Sequence, residues 1–517
     1  MFACSVRCKK TKRESVITEL IDMLVVGGGI NGTGIARDAA GRGLSVVLVE
    51  QNDLASGTSS VSSKLIHGGL RYLEYYEFRL VREALLERER LLAMAPHIIW
   101  PMDFVLPHDP SVRPAWLVRL GLFIYDHLAR RRRLPSTRTV RLDQHPVGKA
   151  LLPGFKRAFI YADCWVEDSR LVALNARDAA DHGAQILTRT RLVHADRRED
   201  HWSCELLHSD GRTESVLART LVNAAGPWVS QVLNESLGVN GSKQVRLIKG
   251  SHIVLPRLYD GAEAYILQNT DRRIVFAIPY ENEYTLVGTT DVPFEGDVQN
   301  VKIDAAETEY LLDVVNRHFR RQMTAADIAW SYSGVRPLYD DAAENASAVT
   351  RDYVLDVNAA PGQAALLSIF GGKITTFRKL AEHAMEKLAP HLPHAGPAWT
   401  ATAPLPGGDM PDSDFDAFLA GLRQRFAFLP PSLSLRLAHS FGTKVDVMLA
   451  GCTRMADLGR DFGGGLHQRE VDYLVSQEWA ETAEDILWRR SKLGLHAPAG
   501  TATALDEALG HRAEVLL

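Results

Sequence analysis

The 517-residue chain has few cysteines, no long apolar run and no marked excess of either charge. Its five cysteines, Cys4, Cys8, Cys164, Cys204 and Cys452, are odd in number and mostly far apart. That excludes a disulfide framework and suits a reducing compartment. Cys4 and Cys8 could make half of a metal site, but no second half follows. No H-x-E with C-x-x-C and no H-E-x-x-H occurs, so no metal is expected. With 59 basic against 63 acidic residues, a formal charge of −4, there is no basic field to hold nucleic acid. No uninterrupted apolar stretch reaches the ~18 residues of a membrane span. The first twenty residues carry five basic side chains but no apolar core, so they do not read as a secretory signal. We expect residues 1–20 to be a disordered extension, with the first strand beginning near Ile21. No internal repeat is present, and the length allows about two to four domains with an ample core.

What the chain does have is glycine in informative places. Met23 to Val26 is a short apolar run suited to a buried strand, and it breaks at Gly27, Gly28 and Gly29. A helix-like stretch of small residues runs from Gly32 to Gly43. A second apolar run, Val46 to Val49, ends on Glu50, 18 residues after Gly32. Strand, glycine turn, helix, strand and acid form a dinucleotide-binding fingerprint. Gly27 permits the tight turn, Gly29 lets a pyrophosphate approach the backbone, and Gly32 lets the helix pack close to the strand. The amides around Ile30 and Asn31, at the positive end of the helix, then hold phosphate. Glu50 can accept both hydroxyls of an adenosine ribose, which favours FAD or NAD over NADP.

The segment after Glu50, QNDLASGTSSVSSKLIHGGLRYLE, is polar and lacks periodicity. Following a nucleotide-binding unit at once, it is the flavoprotein arrangement. Thr58, Ser59, Ser62, Ser63, Gly68 and Gly69 offer small hydroxyls and bare backbone to a flat ring and its phosphates. Phe78 to Met94 reads as an amphipathic helix stopped by Pro96. Residues 100–153, rich in Pro and Arg, are placed outside the first domain. Leu171 to His182 reads as a helix, and Gln185 to Ala195 as a strand leading to a hairpin around Asp210 and Gly211. Leu221 to Gly226 is a strand whose last residues, Ala225 and Gly226, leave the backbone open to a cofactor. Three strand-like runs between Val245 and Asp291 predict an antiparallel sheet. SIFGGKITTF, residues 368–377, repeats the pattern of strand, glycine pair and helix. Residues 391–414 read as a linker. Helical periodicity follows, for example from Val471 to Leu493.

Seven motifs in order, VVGGGINGTGIARDAAGRGLSVVLVE, SGTSSVSSKLIHGGLRYLE, LVNAAGPW, RLIKGSHIVLPR, VGTTDVPFEGD, YSGVRPL and SIFGGKITTFRKLAEHA, resemble the FAD-dependent glycerol-3-phosphate dehydrogenases, most closely the bacterial aerobic, quinone-linked kind. The likeness runs from about Ile21 to the end of the chain. It implies an α/β, multidomain (α+β) protein: a Rossmann-type FAD domain of the D-amino-acid-oxidase-like kind, an inserted substrate domain built mainly on an antiparallel sheet, and a C-terminal helical cap. The expected FAD domain is 21–95 plus 155–230 plus 330–390, the substrate domain 96–154 plus 231–329, and the helical domain 415–517. The implied reaction oxidises sn-glycerol 3-phosphate to dihydroxyacetone phosphate, with hydride passing to FAD N5 and electrons to membrane ubiquinone. A glycerol-3-phosphate oxidase using oxygen, and a flavin-binding sensor without turnover, are the competing readings.

Such a reaction needs a phosphate grip, a base and a flavin. Arg71 and Arg336 sit in glycine-containing motifs and, with Tyr72 beside Arg71, are expected at the substrate. Arginine matches a phosphate oxyanion bidentately. Lys373, after a glycine pair, is expected at the phosphate or the reduced flavin, with Gly372, Ile374 and Thr375 against the ring. His252, in KGSHIVL, is the expected base because imidazole titrates near neutral pH, and His67 is assigned to the flavin. The quinone implies association with the membrane surface, on the cytoplasmic face of the inner membrane, as a peripheral protein. The expected anchor is WLVRLGLFIYDHLA, residues 116–129, with Arg130 to Arg133 meeting anionic lipids. A homodimer is left open.

Overall fold

The computed structural model describes residues 15–109, 113–239, 243, 245–269, 271, 273–339 and 352–515. Two large sheets and a mainly helical C-terminal part, which holds a small two-stranded sheet, organise them. The first sheet has eight strands among the described residues. At its centre Ser15–Val26 lies parallel to Val46–Val49 on one side and Thr213–Asn223 on the other, with Ala365–Phe370 parallel beyond. Met23–Val26, Val46–Val49, Thr220–Asn223 and Ala365–Phe370, where the four strands lie side by side, are buried along their length, as the core of a parallel sheet is. The helices Ile30–Gly41, Asp168–Asp181 and Phe377–Leu388 cover one face. A hairpin of Thr190–Arg197 and Trp202–His208 extends the sheet antiparallel and shields the other.

The first strand starts six residues earlier than expected. Its backbone pairs from Ser15 onward with Glu214, Ser215 and Val216, so residues 15–20 are not a loose extension. The β-branched run of Val16, Ile17 and Thr18 favours extension, and the long strand 213–223 offers it a partner. The rest of the expected extension, residues 1–14, lies outside the described residues.

The second sheet has ten strands among the described residues and is antiparallel except where Ala264–Gln268 runs parallel to Ile99–Pro107. It takes in strands from beyond the ranges expected for the substrate domain. Arg157–Val166 pairs with Ile99–Pro107, Leu65–Ile66 pairs with Arg157–Val166, and Trp330–Tyr339 pairs with Val245–Pro256. All three strands fall in ranges expected to belong to the FAD domain. Register, which depends on partners remote in sequence, decides this, and apolar periodicity does not carry it. The strand Ala264–Gln268 within the second sheet is an addition to the three runs expected there.

Two further expectations change. The strand from Gln185 breaks after Leu187 and resumes at Thr190, because Arg189 takes a left-handed conformation (φ +50°) and donates its N–H to the Asn52 carbonyl. The helix from Val471 ends at Glu478, where Trp479 turns left-handed (φ +55°), and a π-helical turn Asp485–Arg490 follows. The Asp485 carboxylate accepts the N–H groups of Glu481 and Thr482, satisfying donors that a continuous helix would have satisfied internally. Beyond Phe415 the chain builds its own apolar core from Leu419 to Leu509. The segment 391–414 is irregular but packed: Trp399 donates to the Asp38 carbonyl and lies under the Arg37 guanidinium.

Candidate active site

Three adjoining cavities run from the fingerprint across the junction of the two sheets. The first is lined by Gly27, Gly29, Ile30, Asn31, Glu50, Thr58, Ser59, Ala225, Gly226 and Gly372, with Gln51, Asn52 and residues 190–193 at its far end. The second shares Ile30, Thr58, Ser59 and Gly372 with the first, and adds Ser62, Ser63, His67, Tyr72, His252, Arg336, Lys373, Ile374 and Thr375. The third shares His67, Tyr72 and Arg336 with the second and adds Arg71, Thr289 and Asp291. Apart from Gly32, which packs against the Gly27 backbone, the cofactor and substrate residues named from the sequence line the elongated trough that these three cavities form. Its order suits a dinucleotide whose adenosine lies at the fingerprint and whose reactive ring lies at the second cavity.

Local geometry explains the glycines. Gly27 has φ +113°, and a Cβ there would stand 2.6 Å from the Ala224 carbonyl oxygen. A Cβ on Gly32 would be 1.9 Å from the Gly27 oxygen, so strand and helix touch backbone to backbone. A Cβ on Gly29 would meet only Ser59 Oγ, at 3.1 Å; the rest of that side is open to the cavity. These are the three demands that a pyrophosphate makes on the turn. Asn31 adds a second sign of fit. Its Nδ2 donates to the Gly371 carbonyl at 3.1 Å, while its buried Oδ1 has no partner. The residues present therefore fit FAD.

Glu50 accepts from the Gly28 N–H at 2.7 Å and the Asn52 N–H at 2.8 Å. Burial pushes its carboxyl upward and these two backbone bonds oppose the shift. A carboxylate offers about four lone-pair sites, so acceptors remain for ribose hydroxyls. The hydroxyls of the polar loop are mostly engaged within the protein. Thr58 donates to the Val335 carbonyl, Ser59 accepts from the Ile30 N–H, and Ser62 donates to Asp168. The buried Lys64 ammonium bonds the same Asp168 at 2.7 Å. The loop offers a fixed surface more than a row of loose donors.

At the second cavity His252 sits on the strand Val245–Pro256, opposite Gly288. A Cβ on Gly288 would stand 2.2 Å from the His252 ring, so that glycine leaves the imidazole its space. The ring stacks on Tyr332 at 4.8 Å, and Nε2 lies 2.9 Å from Ser63 Oγ. Its buried Nδ1 has no partner. Burial, aided by the Arg336 and Lys64 cations, holds its pKa well below the usual imidazole range. His252 is thus neutral at pH 7 and able to accept a proton.

Arg336, in the strand Trp330–Tyr339, donates to Thr289 Oγ1 at 2.9 Å and pairs with Asp291. A Cβ on Gly250 would fall 2.4 Å from its Nη2, so a second strand glycine makes room for the guanidinium. Lys373 places its ammonium 3.9 Å from the centre of the Tyr72 ring, a cation–π contact. Gly371 and Gly372, both at positive φ (+77° and +106°), make the bend that presents Lys373. Sequence reasoning did not single out Asp291, Thr289, Gly250 and Gly288. The first two lie in VGTTDVPFEGD, where an acid close to a predicted arginine is a signal only once the strands are paired.

Residues 22–378 match the family model for FAD dependent oxidoreductase, and residues 398–516 match that for the C-terminal domain of alpha-glycerophosphate oxidase. This chain belongs to the FAD-dependent glycerol-3-phosphate dehydrogenase family. It is 57% identical over 493 residues to a glycerol-3-phosphate dehydrogenase of Pseudomonas aeruginosa, covering 95% of this chain and 96% of that one. It is 52% identical to the aerobic glycerol-3-phosphate dehydrogenase of Escherichia coli, covering 95% and 97%. It is also 53% identical to a D-erythritol 1-phosphate dehydrogenase of Brucella abortus, again covering 95% and 97%. Among solved structures, the glycerol-3-phosphate dehydrogenase of Bacillus halodurans complexed with FAD matches with TM-score 0.72 at 28% identity, covering 92% of this chain and 86% of that one. The protein is an FAD-dependent oxidoreductase of the D-amino-acid-oxidase-like fold.

Proposed function

We propose that the enzyme oxidises sn-glycerol 3-phosphate to dihydroxyacetone phosphate and passes the electrons to a membrane quinone. The observation that carries this reading is the meeting of His252, Arg336 and Lys373 on one cavity wall, beyond the Gly372–Thr375 bend. When bound, FAD supplies a hydride acceptor. His252, neutral and buried, takes the proton of the C2 hydroxyl as the C2 hydrogen leaves. Arg336, Lys373 and, from the third cavity, Arg71 hold the phosphate dianion. Asp291 and Thr289 aim the Arg336 fork, and the Tyr72 ring fixes the Lys373 ammonium.

The erythritol phosphate relative favours a second reading, oxidation of a longer polyol phosphate on the same grip. Anaerobic mixing distinguishes them. We expect sn-glycerol 3-phosphate to bleach the flavin much faster than D-erythritol 1-phosphate does, and a quinone analogue to restore the colour faster than oxygen. Faster bleaching by the erythritol compound would reassign the substrate, and preferential reoxidation by oxygen would make the enzyme an oxidase.

The apolar helix Ala115–His127 supports peripheral attachment to a membrane surface. Among the described residues no helix is long and apolar enough to cross a membrane. In this helix only Leu122 and Tyr125 are buried, while Trp116, Leu117, Leu120 and Phe123 are exposed. With exposed Tyr75, Tyr76 and Phe78, part of this helix borders the third cavity. A quinone held in the bilayer could reach the trough through that mouth. Of the basic run after the helix, Arg131 pairs with Asp126 and Arg133 donates to the Asp412 carbonyl. Arg130 and Arg132 remain exposed to meet anionic headgroups. The enzyme should float with anionic liposomes, and replacing Trp116, Leu120 and Phe123 together by serine should release most of it. Failure of the parent to float would remove the membrane from this reading.

A further inference from the structure

The C-terminal part of the chain grips both walls of the first cavity from behind. One wall is the loop after Val49, where Glu50, Gln51 and Asn52 face the cavity. The next residue, Asp53, turns the other way and is 2% exposed. Arg490 meets it bidentately, at 2.8 and 2.7 Å, and Arg489 adds a third bond at 2.6 Å. The adjoining wall begins at the bend between Leu187 and Thr190, where Thr190 lines the cavity. There the Arg189 side chain reaches back to Asp485, which also pairs with Arg489. Asp485, Arg489 and Arg490 belong to one π-helical turn.

The walls are also stitched to each other by backbone. Arg189 donates to the Asn52 carbonyl and Thr190 to the Glu50 carbonyl, both at 2.8 Å, and the Glu50 N–H donates to Leu187 at 2.9 Å. Because Asn52 N–H in turn holds one Glu50 oxygen, the position of Asp53 is passed to the carboxylate that faces the cavity. Buried bidentate arginine–carboxylate pairs of this kind fix geometry as well as distance.

We propose that the turn Asp485–Arg490 is a clamp for the adenosine end of FAD: Arg489, Arg490 and Asp485 are positioning residues that hold the walls at 50–53 and 187–190 in register. The clamp rests on the assignment of the first cavity to FAD. Flavin retention, in this protein, depends on how the C-terminal domain is docked, even though that domain supplies none of the residues lining the cavity.

The test is the rate at which the purified holoenzyme releases FAD on dilution, followed by the fluorescence of free flavin. Arg489→Ala and Asp485→Asn should each release FAD about tenfold faster or more, the effect of losing a charge-assisted contact. His439→Ala is the control. It removes a contact across the same domain boundary, the 2.8 Å hydrogen bond from its ring to the His97 carbonyl, without touching Asp485, Arg489, Arg490 or either wall. Its release rate should stay at the parental value. Parental rates in both test variants would overturn the clamp, as would equal acceleration in the control. If Arg489→Ala does not fold, Asp485→Asn, which keeps side-chain shape, decides alone. A Gly29→Trp variant that keeps its FAD would instead overturn the assignment of the cavity.

Discussion

Replacing His252 by alanine should slow flavin reduction by glycerol 3-phosphate about 10²- to 10⁴-fold while leaving bound FAD in place, the usual range for loss of a general base. The imidazole packs on Tyr332 and Ser63 and lies away from the first cavity, so its loss should not release the cofactor. The pH dependence is the sharper measurement. Burial first, then Arg336 and Lys64, hold this histidine well below its ordinary value. The base is active in its neutral form, which persists as pH falls until the lowered pKa is reached. Reduction measured by stopped flow should therefore stay nearly flat from about pH 7 down to about pH 6, where an unshifted imidazole at about 6.5 would already be losing activity. A half-loss centred near the unshifted value, or normal single-turnover reduction by the alanine variant, would assign the proton to another group.

The Arg336→Ala variant should lose about 2–4 kcal/mol in kcat/KM, or roughly 30- to 1,000-fold. The structure places the effect toward the upper end. Removing the guanidinium would take away the proposed phosphate contact and leave the Asp291 carboxylate without its Arg336 partner beside the incoming dianion. Adding Asp291→Asn to Arg336→Ala should then recover part of the activity, a non-additivity expected of groups in direct contact. Unphosphorylated glycerol, with no dianion to lose, should be affected much less by either change. Equal losses for both substrates would show that Arg336 supports the fold and not the phosphate.

How much of this was legible beforehand depended on whether the signal was local. The fingerprint was legible because strand, turn, helix and acid are adjacent in sequence, and each glycine answers a steric demand made within a few residues. The helix Phe78–Met94 was read with its own boundaries for the same reason. The sheet membership of Arg157–Val166 and Trp330–Tyr339 was not, since each strand is placed by a partner tens of residues away. At the site, His252, Arg336 and Lys373 could be named from motifs, but Gly288 and Gly250 could not. Their meaning is the room they leave for a ring and a guanidinium on the neighbouring strand. Asp53 was hidden similarly. An aspartate in a polar loop looks solvated until the arginines that bury it arrive from more than 400 residues downstream.

The order of strands in the first sheet also sets a schedule for synthesis. The fingerprint strand leaves the ribosome before its parallel neighbours Val46–Val49 and Thr213–Asn223, and the sheet is completed only by Ala365–Phe370. At about 5–20 residues per second, the roughly 340 residues between Val26 and Phe370 take about 17–70 s to appear. Throughout that interval the nascent chain carries an apolar strand with an unpaired edge, the surface that pairs wrongly with other chains. Gly371 and Gly372, which line the first cavity beside the fingerprint, are the last of its lining residues to appear, so the cradle is complete only at the end of that interval.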